Sequence, residues 1–92
     1  MKSAVTPEQI HQVVVDVVTE KLSAYDERAD ESVLDEPIAQ LPFDSLDSLE
    51  VTHELERRLH LQTDAAVVAA FETFREYVPY LQSLVEPSWQ QD

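Results

Sequence analysis

Hydrophobic residues recur at Ile10, Val14, Val18 and Leu22 with Val13 and Val17 beside them, the spacing that lines one face of an α-helix. The segment opens on Thr6-Pro7-Glu8-Gln9, in which Thr6 can cap, Pro7 suits the first helical position and Gln9 completes a capping box. The run VVVDVV also has strand propensity. Cap, period and length nevertheless agree on a helix from Pro7 to about Leu22, and the chain offers neither a glycine turn nor a hairpin partner. From Ser23 to about Phe43 the period disappears and acidic residues take over, with Pro37 and Pro42 among them. This predicts a long loop, which Val33, Leu34, Ile38 and Leu41 can anchor on the helices.

Periodicity resumes behind Asp44, whose side chain can cap a helix from Ser45 to about His60. At about 100° per residue, Ser48, Val51, Thr52, Leu55 and Leu59 share the core face. Leu46, Leu49 and His53 form a narrower strip beside Ser45, while Asp47, Glu50 and Glu54 lie on the side away from Leu59. An apolar strip outside the core and bordered by acids reads as a contact surface for a partner.

Asp64 can cap a brief helix through AAVVAAF, and Thr73-Phe74-Arg75-Glu76 is a further capping box ahead of a last helix carrying Tyr77, Leu81, Leu84 and Val85. Pro79 conflicts with a helix that starts at that box, so the helix either begins later or is kinked. The tail EPSWQQD is polar, and Pro87 is the expected end of order. The expectation is one all-α domain over 1–92, with an ordered core at about 6–86 and a polar tail at 87–92. Its architecture would be a small bundle of three longer helices and one short one.

Composition narrows the function classes. Six Lys and Arg against 19 Asp and Glu give a formal charge of −13, which repels phosphate backbones and anionic membranes and attracts basic protein surfaces. Nucleic acid and membrane are therefore excluded as expected partners. Absence of cysteine removes disulfides, thiolate metal sites and cysteine nucleophiles. With no long apolar run and no signal-like N-terminal stretch, the chain is expected to be soluble, cytoplasmic and monomeric. His53-Glu54 starts like a zinc-protease signature, but Arg57 occupies the second ligand position, so no metal is expected. The acid pairs lack any sign of an enclosed pocket that would make them acid–base catalysts, and an enzyme is not expected.

The informative stretch is Leu41-Pro42-Phe43-Asp44-Ser45-Leu46-Asp47-Ser48-Leu49-Glu50, leading straight into the second helix. Taken alone, Asp44-Ser45 is an ordinary cap. Joined to the order of helices, the long first loop and the acidic charge, it resembles the acyl carrier proteins, which bear Asp-Ser-Leu-Asp at the start of their second helix, then an apolar residue and a Glu. The resemblance covers roughly Pro7 to Leu84. It implies that Ser45, flanked by Asp44 and Leu46, receives a 4'-phosphopantetheine arm from coenzyme A through a phosphopantetheinyl transferase. It also implies that Asp47, Leu49, Glu50, His53 and Glu54 meet partners: the transferase, an acyl-loading ligase or acyltransferase, and a ketosynthase or other acyl-processing enzyme. A helix N-terminus suits a phosphate by its dipole and free N–H groups.

Asp47-Ser48-Leu49 is an overlapping copy of the triplet, but Ser48 turns toward the core and lacks the following Leu and Glu. Pro42 and Phe43 stand where the family usually has glycine and a small residue, His53 where it has an apolar one, and Arg57 and Arg58 where it has acids. These departures point from a housekeeping fatty-acid carrier toward polyketide or other specialised biosynthesis. Within the carrier class a fatty-acid carrier and an aminoacyl or peptidyl carrier stay open as alternatives, and from a different class an unmodified acidic helical interaction module.

Overall fold

The computed structural model describes residues 6–25 and 29–90, the last five as backbone only. Among them are four α-helices: α1 (Pro7–Ser23), α2 (Ser45–Leu59), the short α3 (Ala65–Ala69) and α4 (Tyr77–Gln90). The expected all-α architecture of three longer helices and one short one is what the chain adopts. The first helix begins as its residues require, with Thr6 Oγ1 accepting from the Gln9 N–H at 3.1 Å and the Gln9 amide oxygen accepting from the Thr6 N–H at 2.9 Å.

The core forms where α1 meets α2 and α4. Ile10, Val14, Val18 and Leu22 are buried on α1, facing Val51, Leu55 and Leu59 of α2 and Leu81 of α4. Burying each such side chain contributes roughly 1.5–3 kcal/mol, which decides the helix-or-strand ambiguity of VVVDVV in favour of the helix that buries the stripe. Leu84 faces outward instead. The six Phe and Tyr residues form one continuous row, Tyr25–Phe43–Phe74–Tyr77–Phe71–Tyr80, with successive ring centroids 5.1–6.3 Å apart. Such tilted and edge-to-face pairs add to plain burial.

The loop between α1 and α2 is docked as its apolar anchors require. It contains two 3-10 turns, Glu31–Asp35 and Ile38–Gln40, with Val33 and Leu34 buried. Arg75 reaches it from the far end of the chain, its Nε and Nη2 donating to the two Asp35 carboxylate oxygens at 2.9 and 3.0 Å. The Ile38 N–H donates to the Glu72 carbonyl at 2.8 Å, so the loop is fastened to the α3–α4 connection.

Two prolines meet different outcomes. The Thr73–Glu76 box sits on a separate 3-10 turn, Phe74–Glu76, and α4 proper starts at Tyr77. Pro79 is therefore in the first helical turn, where its missing N–H costs little. The helix then runs on through Pro87 to Gln90, past the stop expected at Pro87. Without an N–H at Pro87 the last turn is held by one backbone bond fewer. At the end of α2, His60 takes the left-handed conformation with φ 56°, donating its N–H to the Glu56 carbonyl. Helices commonly end on glycine in this geometry; a chain with no glycine uses histidine.

Candidate functional site

The start of α2 is a reciprocal cap. Asp44 Oδ1 accepts from the Asp47 N–H at 2.8 Å and Asp47 Oδ2 accepts from the Asp44 N–H at 3.1 Å. Ser45 is the first helical residue and is exposed. The backbone N–H groups of Ser45 and Leu46 find no acceptor among the described residues, the ordinary condition of a first helical turn. A phosphate on Ser45 would be placed beside these donors and the positive end of the helix dipole. The residues present therefore fit a serine-linked phosphodiester.

Phe43 stands where the resembled family usually has a small residue. Its ring packs between Tyr25 at 6.3 Å and Phe74 at 5.8 Å, so the approach to Ser45 is anchored by aromatic contact. No residue there has positive φ; His60 alone does among the described residues, and glycine's freedom is not needed before Asp44.

Asp47 is not the open acid that its sequence position implied. It is only 8% exposed, because besides closing the cap it accepts from the Tyr25 hydroxyl at 2.5 Å and faces Lys21 Nζ at 3.5 Å. The Tyr25 hydrogen bond, followed by the Asp44 N–H, holds its carboxyl below the usual range. Glu50 and Glu54 are also engaged. Glu50 is exposed and paired with Lys21. Glu54 bridges Arg57 and Arg58, which lower its pKa from 4.5 to about 2, and Arg58 extends the network to Glu20 at 2.8 Å. The acidic side of α2 is thus a lattice of pairs, with cations that share its face.

The apolar strip lies as the helical count requires. Leu46 is 59% and Leu49 49% exposed, with His53 exposed beside them, while Val51 and Leu55 are buried. Behind the strip, a cavity of about 530 Å³ runs between α2 and α3. Ser45, Ser48 and Leu49 line it on one side and Val68, Ala69 and Phe71 on the other. Tyr77 and Thr52, both buried, close its inner end with a hydrogen bond of 2.8 Å between their hydroxyls. A second hollow of about 650 Å³ lies by Leu22, Asp30, Ser32, Glu36 and Gln40, apart from Ser45. Metal-holding clusters of His, Asp or Glu do not occur among the described residues.

The model of one family, described as the phosphopantetheine attachment site, matches residues 12–81. The chain belongs to that family. Domains of this family carry covalently attached 4'-phosphopantetheine, and an attachment domain of this kind works with a phosphopantetheinyl transferase and with enzymes that process what the arm bears. Comparison with curated proteins gives no match, and comparison with solved structures gives none. Among the described residues no helix of the attachment domain is long and apolar enough to cross a membrane.

Residue-by-residue reading of the sequence missed Lys21 and Tyr25, which come from the end of α1 and the turn after it. Nothing local marks them as partners of Asp47. Tyr77 and Glu56 escaped as cavity residues, yet Thr52 gave a signal: a hydroxyl in the middle of a core stripe needs a partner.

Proposed function

We propose that this attachment domain is an acyl carrier protein whose phosphopantetheine arm is borne by Ser45. The observation that carries the reading is the position of Ser45, exposed at the first residue of a capped helix, beside two free backbone N–H groups and at the mouth of a cavity. Ser48 fits less well, because its N–H is already bonded to the Asp44 carbonyl at 3.1 Å and it is partly buried, where Ser45 is exposed. The attached arm supplies a terminal thiol, on which an acyl group is held as a thioester. The chain's own residues orient the arm: Asp44 and Asp47 fix the helix start, and Phe43 and Tyr25 fix the loop that leads to it.

The domain is a non-catalytic, cytoplasmic monomer serving polyketide or other specialised biosynthesis in this reading, since His53, Arg57 and Arg58 alter the surface that partners meet. Intact-mass measurement after incubation with coenzyme A and a broad-specificity transferase tests it. The native chain and Ser48→Ala should each gain one arm and Ser45→Ala none. An arm on Ser45→Ala would move the site, and an unmodified native chain would favour an acidic interaction module.

Docking is assigned to Leu46, Leu49 and His53 at the base of the arm, with Glu50 as the leading acid. Exposed ion pairs are worth roughly 0–1 kcal/mol, so a basic partner can displace Lys21 from Glu50 at small cost. Glu50→Lys should slow modification severalfold at low ionic strength and little at high. A rate indifferent to both substitution and salt would remove charge from the docking step.

A further inference from the structure

The inner end of the cavity offers acceptors and almost no donors. Thr52 Oγ1 lies 3.1 Å from the Ser48 carbonyl, which can only accept, so the Thr52 proton is committed there. The Tyr77 hydroxyl, 2.8 Å from the same Oγ1, must then donate to it. Both hydroxyl protons are used, and each oxygen retains capacity to accept.

Glu56 adds a charge to this wall. Its Oε2 accepts from the Thr63 N–H at 2.8 Å and the Thr63 hydroxyl at 2.6 Å, bonds that keep the carboxyl ionised, and Oε1 has no donor among the described residues. Ile38, Leu49, Ala65, Val68, Ala69 and Phe71 make the rest of the wall apolar, and the exposed Ser45 and His53, the latter an imidazole that can donate, lie on its solvent side. Ser48, nearer the mouth, has a hydroxyl that can donate or accept.

We infer, resting on the reading of Ser45 as the arm-bearing residue, that this cavity selects an acyl group carrying a hydrogen-bond donor, a hydroxyl or an ammonium, over a plain alkyl or a keto chain. A hydroxyl can donate to one of the oxygens of Thr52, Tyr77 and Glu56, and an ammonium to more than one, while the carbons of the group lie on the apolar walls. An alkyl chain would strip water from these acceptors without replacing its hydrogen bonds, and a keto oxygen would face lone pairs and a carboxylate. The pantetheine arm also contains N–H and O–H groups, so cargo effects must be measured relative to the unloaded holo form.

The test uses the full chain converted to its holo form, with the arm on Ser45 verified by mass, then loaded with butyryl, 3-hydroxybutyryl, 3-aminobutyryl or acetoacetyl groups. The melting temperature of each is read against the holo form. The hydroxy and amino forms should melt about 4 °C or more above the butyryl form, in the range one good interaction gives a domain of this size, and the acetoacetyl form should not exceed it. Tyr77→Phe should at least halve the increment of both donor-bearing groups. Glu56→Gln should remove any excess of amino over hydroxy while leaving the hydroxy increment, which separates the two donor chemistries. Equal increments for butyryl and the donor-bearing groups, or a largest increment for acetoacetyl, would overturn the inference while leaving the carrier reading intact. Failure to acquire the arm at all would instead overturn the carrier reading.

Discussion

Asp47 has three structural partners, the Asp44 N–H, the Tyr25 hydroxyl and Lys21, so its carboxylate ties the start of α2 to the end of α1. Glu50, one turn on, pairs with Lys21 and has a half-exposed side chain. Loss of a multiply bonded, enclosed carboxylate orphans the donors around it, whereas loss of an exposed pair does not. Melting temperatures should therefore fall most for Asp47→Ala, less for Tyr25→Phe, which keeps the ring stacked on Phe43, and hardly at all for Glu50→Ala. Equal shifts for Asp47→Ala and Glu50→Ala would place Asp47 back among the open docking acids. The sequence shows Asp44 as a cap plainly. It does not show Asp47 as the reciprocal member, because the same acid three residues into a helix fits a solvated face equally well. The deciding groups, Lys21 and Tyr25, are brought to it only by packing.

At the level of elements, α2 separates its two jobs by angle. Leu55 is wholly buried and Leu46 is 59% exposed on the same helix. Leu55→Ala should cost about 2–5 kcal/mol, and Leu46→Ala about 0.5 kcal/mol or less while impairing transfer to partners. Thermal unfolding of the two variants side by side checks the rotation of the helix; a more destabilising Leu46→Ala would mean that the strip beside Ser45 is core. Both faces were legible in advance because a capped helix of this length has a fixed period, and the same holds for α1 from Thr6 onward. The long loop was legible only as a loop with apolar anchors. Its clamp is Arg75 on Asp35, a pair forty residues apart that no local pattern marks. Pro79 was the reverse case, an apparent conflict that vanished once the Thr73–Glu76 box proved to be a 3-10 turn and the helix began at Tyr77.

For the whole molecule, a charge of −13 sets repulsion against the local pairs that relieve it. At about 0.15 M salt, repulsion between exposed charges is screened beyond roughly 8 Å, whereas pairs in contact are screened less. Local pairs should therefore govern the response to acid at that ionic strength. Asp30, Asp35, Asp47, Glu54 and Glu56 all have lowered pKa values, held by Ser32, Arg75, Tyr25, Arg57 and Thr63 respectively as the leading causes. The folded chain thus binds fewer protons than the unfolded chain, and acid favours unfolding. For Glu54 the contribution is complete above its ordinary value of 4.5 and is lost as pH falls toward its folded value of about 2. Melting temperature at about 0.15 M salt should hold down to about pH 4.5 and then decline steadily toward pH 2. In Glu54→Gln, which keeps the shape and removes the titration, the decline over that interval should be shallower. At low salt the early protonation of unpaired carboxylates relieves repulsion first, so the curve should rise before it falls. A melting temperature that keeps rising below pH 4 at about 0.15 M salt would mean that repulsion, and not the network on α2 and the loop clamp, dominates the charge balance of the fold.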